Sequence, residues 1–249
     1  MIDRQRVQQC PAFLLHQRPF RDSSQIVELL TADHGRVALV ARGVKRARAK
    51  HRPALQPFQP LSVSWTLRSE LGTLTGAESD GSAITLTGDA LLAGFYISEL
   101  ILKLTHRHDP QPGLFRLYGD ALAALARGGD ALEASLRRFE LRLLEELGYG
   151  LELNCDGVDG RPLDPATYYR VVADGAPLPV SGPSRHDLVF PGSALLEVAR
   201  EAFDDDETCK IAQRITRAAI DRCLDGQTLN TRKVLVAMRA RTVTKESLQ

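Results

Sequence analysis

Apolar and polar residues alternate in short runs over the first eighty positions, and turn-forming residues separate the runs. The run Leu61–Leu67 reads LSVSWTL and alternates with a period of two, which is typical of a half-buried strand. The segment 32–35 is polar, ends in glycine and has the chemistry of a hairpin turn. Five short strands in about eighty residues favour a five-stranded OB-type β-barrel, a fold whose loops bind oligonucleotides. We predict these strands at Ala12–Gln17, Gln25–Thr31, Arg36–Ala41, Leu61–Leu67 and Thr73–Ala77.

Beyond residue 81 the apolar positions recur with the period of a helix. The clearest series lies within 130–147, where apolar residues stand three or four positions apart and a glycine at 148 ends the pattern. We expect Leu91 and Phe95 on the apolar face of the first helix and Ala218 on that of the fifth. Either Asn230 or Thr231 is expected to cap the last helix. The predicted helices are at about 87–105, 114–127, 130–147, 193–203, 207–224 and 230–239.

Residues 148–192 have a different texture from the segments on either side. Seven Gly and six Pro fall within these 45 residues, a density that excludes a long helix and indicates a loop-rich insertion with room for a short hairpin. The predicted fold class is therefore α+β. We expect an OB-type barrel domain at 1–80, followed by an all-α helical domain at 81–249 that carries the insertion.

The charges of the chain are unevenly distributed, although its net charge over 249 residues is only +1. Residues 1–80 contain 12 Lys or Arg against 7 Asp or Glu, and residues 207–249 contain 9 against 4. The middle segment, 81–206, contains 11 against 20. Because Lys and Arg displace counterions from phosphates, we expect the two basic ends to bind nucleic acid.

The strongest basic feature is the run ARGVKRARAKHR at 41–52, inside a stretch from Asp33 to Glu70 that has no acidic residue between its ends. Such a run is too polar to build a core and indicates a polyanionic partner, usually nucleic acid. A mobile charged loop is the alternative. The candidate DNA-binding residues of this end are Arg18, Arg36, Arg42, Lys45, Arg46, Arg48, Lys50 and Arg52.

A second basic feature lies on the helix predicted at 207–224. Lys210, Arg214 and Arg217 stand four and three residues apart, so they share one helical face. Arg232 and Lys233 extend the charge, and we predict that all five residues bind DNA. The alternative is a solvated face with ion pairs between residues four apart.

Arg138 and Arg142 form a third feature, four residues apart beside the apolar series of the helix at 130–147. An apolar groove edged by arginine is what an acidic, hydrophobic peptide tail needs. Because arginine is also common on the outer surface of core helices, a partner-peptide site here is a hypothesis.

Motifs that mark common enzyme classes do not occur in the sequence. It has no GxxxxGK[ST] loop, no HExxH and no GxSxG, and we predict no enzyme activity. The four cysteines lack CxxC spacing, so we predict no metal and no other cofactor. An N-terminal apolar region and a run of 18 apolar residues are both missing, so we expect a cytoplasmic protein without a signal peptide or membrane span. Trp65 and Phe58 are either platforms for stacked bases or core residues.

Six segments also carry a family resemblance through their order and spacing. They read LLHQRPFRDSSQIVELLTADHGRVALVARGVKR at Leu14–Arg46, LQPFQPLSVSW at Leu55–Trp65, ELGTLTGAE at Glu70–Glu78, YISELILKLTHRHDPQPGLFRLY at Tyr96–Tyr118, LRRFELRLLEELGYGLELNC at Leu136–Cys155 and CKIAQRITRAAIDRCLDGQTLNTRKVL at Cys209–Leu235. Together they resemble the RecO family of recombination mediators over nearly the whole chain.

The resemblance implies a function in recombinational DNA repair. It implies binding of single- and double-stranded DNA, annealing of complementary strands, and help in loading the RecA recombinase onto strands coated by single-stranded-DNA-binding protein. The implied partners are RecR and the acidic C-terminal tail of that coating protein, and the implied location is the nucleoid.

The resemblance also assigns roles to residues by position. Arg42, Lys45, Arg46 and Arg48 would contact DNA, and Arg138 and Arg142 fall in the helix region where the tail docks. Many members carry a four-cysteine zinc site in the insertion. Here Cys155 is the one cysteine in that stretch, which agrees with the prediction of no metal.

Other function classes stay open from the residues themselves. One is a different OB-fold binder, for instance of structured RNA. Another is a non-enzymatic adaptor whose basic ends recognise acidic proteins, and an enzyme without a familiar motif ranks third.

Overall fold

The five predicted strands are confirmed, and each is longer than its sequence pattern indicated. The computed structural model describes residues 5–44, 54–67, 70–128, 131–172, 175–184 and 188–234. The strands are β1 (Gln5–Phe20), β2 (Ser24–Thr31), β3 (Gly35–Ala41), β4 (Pro60–Leu67) and β5 (Leu71–Ser79).

These strands form a closed barrel in the order β1-β2-β3-β5-β4, with β4 returning to β1. All neighbours are antiparallel except β3 and β5, which run parallel. The 16-residue β1 pairs with β2 through one half and with β4 through the other, and its register shifts between Leu14 and His16. A bulge of this kind bends a strand, which lets β1 close the barrel. The predicted α+β fold class with an N-terminal OB-type barrel is confirmed.

The barrel core follows the alternation that the sequence predicted. Along β4, Leu61, Val63 and Trp65 are at most 1% exposed, and the residues between them are partly exposed. Trp65 packs edge-on against His34 with 5.2 Å between ring centroids. Phe58 is 4% exposed. Both aromatic residues are therefore core residues and offer no face to a base.

Two helices, α1 (Gly88–Leu104) and α2 (Pro112–Arg127), follow the barrel. The Phe13 ring of β1 lies 5.2 Å from both Phe115 and Tyr118 of α2. The prediction that Leu91 and Phe95 face the core is wrong, because they are 37% and 40% exposed. The buried side of α1 carries Tyr96, Ile97, Leu100 and Ile101.

The reason for this error is that α1 is apolar on most of its circumference, so periodicity alone did not select the inner face. At Gly94 the backbone of α1 comes close to the side chains of Leu86 and Phe58. A Cβ there would lie 2.6 Å from the Leu86 side chain and 3.0 Å from the Phe58 ring. This side of α1 therefore packs inward.

A second group of elements comprises α3 (Ala131–Glu146), β6 (Tyr168–Arg170), β7 (Leu178–Val180), β8 (Val189–Pro191), α4 (Gly192–Ala199) and α5 (Asp206–Cys223). The three short strands form one antiparallel sheet in the order β7-β6-β8, so the insertion contains more sheet than the predicted hairpin. Fully buried Leu195, Val198 and Ala212 lie in its core.

Two sequence expectations fail in this second group. The helix predicted to reach Phe203 ends at Ala199, because the chain turns at Glu201 with a φ of 54°. Ala218, expected to face inward, is exposed, whereas Ile215 and Ile220 are buried. The inner face of α5 is therefore rotated from the predicted one.

Spatial clustering divides the chain into two compact units. The first comprises residues 1–127 together with 229–249, and the second comprises residues 128–228. The predicted division into a barrel domain at 1–80 and a helical domain at 81–249 stays a prediction.

Candidate nucleic-acid interface

A cavity of about 700 Å³ opens at one end of the barrel, and we call it the barrel cavity. Its lining residues include Phe20 at the end of β1, Arg21 of the β1–β2 turn, Arg42 after β3 and Leu71 at the start of β5. Gly72 lets β5 pass close to the wall, since a Cβ there would lie 2.6 Å from the Leu39 side chain. In OB folds the β1–β2 and β4–β5 loops frame the oligonucleotide site. The barrel cavity is lined by Arg21 and Ser23 of the β1–β2 turn and by the first residues of β5, Leu71 to Thr73.

An aromatic ring and a guanidinium meet at the rim of the barrel cavity. The Arg21 guanidinium carbon lies 5.1 Å from the centroid of the Phe20 ring, a cation–π contact. Arg21 adopts a φ of 53° within the turn. Neither residue was among the predicted DNA-binding residues, although an aromatic followed by an arginine at a turn between two barrel strands is a readable signal.

Arg42 brings a second cation to the lining of the same cavity. Arg42 is exposed, whereas Val44, two residues later, is buried with 4% of its surface exposed. The run continues in sequence from Val44. The remaining predicted residues, Lys45, Arg46, Arg48, Lys50 and Arg52, lie outside the described residues.

The two predicted cations of β1 and β3 have different surroundings. Arg18 is exposed on β1. Arg36 is partly buried, with its guanidinium donating to Glu28 at 3.1 Å and to the carbonyl oxygen of Thr105 at 2.8 Å. Burial lowers the pKa of Arg36, and the charge of Glu28 acts against this change. Since Glu28 also pairs with Arg107, Arg36 belongs to an internal network and we leave it out of the proposed surface.

The predicted basic face of α5 is formed as expected. Lys210, Arg214 and Arg217 are all exposed on that helix. Arg217 makes an i,i+4 ion pair with Asp221 at 3.7 Å, and the Arg214 guanidinium lies 4.7 Å from the centroid of the Phe190 ring. The ion pair is what the alternative interpretation expected, so DNA binding by this face stays a prediction.

Arg232 and Lys233 lie on a helical segment at 230–234, and Glu99 of α1 holds its start. The Glu99 carboxylate accepts hydrogen bonds from the backbone N–H groups of Asn230 and Thr231 at 2.8 and 2.9 Å and from the Thr231 hydroxyl at 2.7 Å. The prediction that Asn230 or Thr231 caps the helix is therefore wrong. A carboxylate from a distant helix satisfies these N-terminal donors instead.

We expect the attachment of the segment at 230–234 to depend on pH. Burial acts to raise the pKa of Glu99, but the hydrogen bonds from Thr231 and Asn230 outweigh it, so the pKa lies below its ordinary value. A lowered pKa contributes stability above the pKa of the unfolded state, and this stability is lost as the pH falls through the folded value. Hydrogen-exchange protection factors of 230–234 should therefore be highest near neutral pH and should fall below about pH 4.5.

The variant Glu99→Gln tests the same prediction at constant pH. We expect lower hydrogen-exchange protection of 230–234, and the free energy of opening this segment should fall by about 0.5–2 kcal/mol. The reason is that the neutral amide offers a single acceptor oxygen. Asp89→Asn, on the exposed side of the same helix, is the matched control. Equal protection in both variants would show that the Glu99 carboxylate does not anchor the segment.

Arg138 and Arg142, the predicted peptide-binding residues, are both in contact with Glu201. The Arg142 Nε and Nη2 donate to the two Glu201 carboxylate oxygens, each at 2.9 Å. Arg138 Nη2 donates to the Glu201 carbonyl oxygen at 3.3 Å, and its guanidinium lies 5.5 Å from the centroid of the Phe203 ring. The structure therefore brings two arginines and an aromatic ring together around a carboxylate.

Buried polar contacts fix the helix that presents these arginines. Arg137 and Glu140 form an ion pair at 3.2 Å and are 4% and 2% exposed. The hydroxyl of Thr216 on α5 donates to the same Glu140 carboxylate. Because the Glu140 contacts join α3 to α5, they set the direction in which Arg138 and Arg142 project.

The described part of the chain contains neither a cluster of side chains suited to a metal ion nor a helix suited to a membrane. No cluster of three or more His, Cys, Asp or Glu side chains suited to a metal ion occurs among those residues, and the absence of a metal stays a prediction. No helix within the same residues has the length and apolarity that a membrane crossing requires.

Two family models and several known proteins match this chain over most of its length. The family model described as Recombination protein O N terminal matches residues 5–82, and the one described as Recombination protein O C terminal matches residues 86–233. A DNA repair protein RecO from Aromatoleum aromaticum is 42% identical over 235 residues, which cover 94% of this chain and 98% of the relative. The namesake from Coxiella burnetii is 40% identical over 225 residues, covering 90% and 96%. That from Methylococcus capsulatus is 41% identical over 223 residues, covering 90% of each chain.

Proposed function

The chain belongs to the RecO family of DNA repair and recombination proteins, and from this premise we propose that it is a non-enzymatic recombination mediator. It binds single- and double-stranded DNA, anneals complementary strands and helps to load RecA onto strands coated by single-stranded-DNA-binding protein. RecR and the acidic C-terminal tail of the coating protein are its proposed partners.

The barrel cavity is the observation that carries this proposal. Its rim combines a stacked Phe20–Arg21 pair with exposed Arg42, and the run of 41–52 follows in a stretch without acidic residues. Aromatic and guanidinium faces stack on unpaired bases, and cations track the phosphates beside them. This combination supports single strands as the ligand of the cavity, with duplex DNA held through its phosphates.

Annealing by such a surface needs no covalent step. Two complementary strands repel each other through their phosphates, and Lys and Arg side chains screen this repulsion. Strands bound to one protein also meet at a raised local concentration. Base pairing then supplies the free energy, so the proposed activity requires no ATP.

The double variant Arg21→Ala/Arg42→Ala tests the assignment of the barrel cavity. If each arginine neutralises one phosphate of a single strand, the slope of log K against log salt falls by about 1.4. Affinity for an unstructured oligonucleotide at 0.1 M salt then falls roughly 25-fold, measured by fluorescence anisotropy. Arg116→Ala/Arg127→Ala removes two exposed charges from α2 and serves as the control. An equal loss in both double variants would contradict the assignment.

A competition titration distinguishes this proposal from the alternative of a structured-RNA binder. We expect unstructured single-stranded DNA to displace a labelled DNA strand at lower concentration than a hairpin RNA of equal length. Preferential displacement by the RNA would support the alternative, and no binding of either at physiological salt would support a protein adaptor.

A further inference from the structure

The contacts around Glu201 describe a receptor for a carboxylate, whose occupant is a side chain of the protein itself. Arg142 holds both oxygens of this carboxylate in a bidentate pair. That geometry matches the planar fork of arginine to any carboxylate, including the free carboxyl end of a peptide. The chemistry of the site is therefore that of an acidic ligand.

A second arginine completes the receptor. Arg138 lies over the ring of Phe203, which is 6% exposed, and is 3.9 Å from the Glu201 carboxylate. A ligand that replaces Glu201 would meet the guanidinium groups of Arg142 and Arg138 together. An acidic peptide with a free terminal carboxylate fits these two cations.

The internal contact has the features of one that an external ligand can replace. The side chains of Arg142 and Arg138 are 54% and 40% exposed, and solvent-exposed ion pairs add little to stability. Glu201 also has a φ of 54°, in the left-handed region that non-glycine residues seldom adopt. The Glu201 carboxylate leaves this contact by rotation about its own χ angles, which requires no rearrangement of α3, the helix that carries both arginines.

We propose that Glu201 is a built-in competitor at the acidic-peptide site, occupying Arg142 and Arg138 until the C-terminal carboxylate of a partner displaces it. This inference rests on the proposed docking of an acidic tail and adds the residue that limits its affinity. The apparent dissociation constant equals the intrinsic one divided by the fraction of open site. A site that Glu201 fills for about nine-tenths of the time would bind about tenfold more weakly than an open one.

The test uses the full chain and a labelled synthetic peptide of four aspartates followed by a C-terminal phenylalanine with a free carboxylate. We expect Glu201→Gln to raise its affinity about three- to tenfold in anisotropy titrations, and Arg142→Ala to lower it more than tenfold. Glu201→Gly is the second variant, because glycine accepts the positive φ and keeps the turn. Glu152→Gln removes one exposed carboxylate from the same unit and should change the affinity less than twofold.

The outcomes separate this inference from the function on which it rests. Tighter binding by both Glu201 variants, with Glu152→Gln unchanged, supports the competitor. Peptide binding that is equal in the wild type and the Glu201 variants overturns the competitor but leaves tail docking in place. Binding by none of these proteins overturns both the competitor and docking at this site.

Discussion

Replacing Lys45, Arg46 and Arg48 together by alanine is expected to weaken binding of single-stranded DNA by about 10²-fold at 0.1 M salt. Each cation that neutralises a phosphate of a single strand contributes about 0.7 to the slope of log K against log salt. Loss of three should flatten the slope by about 2 and should weaken binding to all sequences alike. Titrations from 0.05 to 0.3 M salt with oligonucleotides of two unrelated sequences measure both effects.

A matched triple variant separates local contacts from the loss of net charge. Arg116, Arg127 and Arg161 are exposed arginines outside the barrel, and their replacement by alanine removes the same three charges. We expect a change in affinity of less than threefold for this control. A wild-type salt slope in the Lys45/Arg46/Arg48 variant would reject the basic run as a DNA-binding surface.

Replacing Glu140 by alanine is expected to destabilise the unit at 128–228 by about 3–5 kcal/mol. Glu140 is 2% exposed and pairs with Arg137, which is 4% exposed, at 3.2 Å. Removing one member of a buried ion pair leaves the other charge buried without compensation, and that is the source of the cost. The Thr216 hydroxyl also loses its acceptor, which weakens the join between α3 and α5.

Equilibrium unfolding in urea, followed by circular dichroism, measures this loss. Glu145→Ala lies on the exposed side of α3 and should change the free energy of unfolding by less than about 0.5 kcal/mol. The double variant Arg137→Met/Glu140→Leu should recover most of the loss, because it removes both buried charges. A Glu140→Ala protein within about 1 kcal/mol of the wild type would show that the pair is not required for folding.

Local patterns were sufficient for the barrel and for most helices, because burial there follows a simple period. The alternation of β4 predicted that Leu61, Val63 and Trp65 share the inner face, and the structure buries all three. The series in α3 predicted the helix and its end at a glycine, and Gly148 has the positive φ of that role. Where one face of an element is clearly more apolar than the other, the sequence alone therefore predicts the element and its buried face.

Local patterns did not predict contacts between residues that are far apart in the sequence. The Glu99 contact to Asn230 spans 131 residues, and the Arg142 contact to Glu201 spans 59, so no local pattern contains them. The end of α4 before Glu201 also lacks a Gly or Pro signal in the segment 199–205. Contacts between elements distant in the sequence require the fold itself.

Arg36 is a residue for which the sequence did carry a signal. In the β2–β3 hairpin Arg36 lies opposite Leu30, so Glu28 is its diagonal neighbour on the adjacent strand. Diagonal cross-strand positions are within reach of long side chains, which allows the ion pair at 3.1 Å. The hairpin register therefore distinguishes Arg36, which is paired with Glu28, from exposed Arg42.

Strand annealing without ATP tests the central claim most directly, namely that cations on the barrel side of this protein neutralise two DNA strands and let them pair. Complementary oligonucleotides with a donor and an acceptor dye are mixed at 0.1 M salt, with the wild type, the Lys45/Arg46/Arg48 variant or no protein. The wild type should accelerate pairing many-fold, and the variant should lose most of this acceleration. A wild-type rate equal to that of protein-free DNA, even at low salt, would contradict the claim.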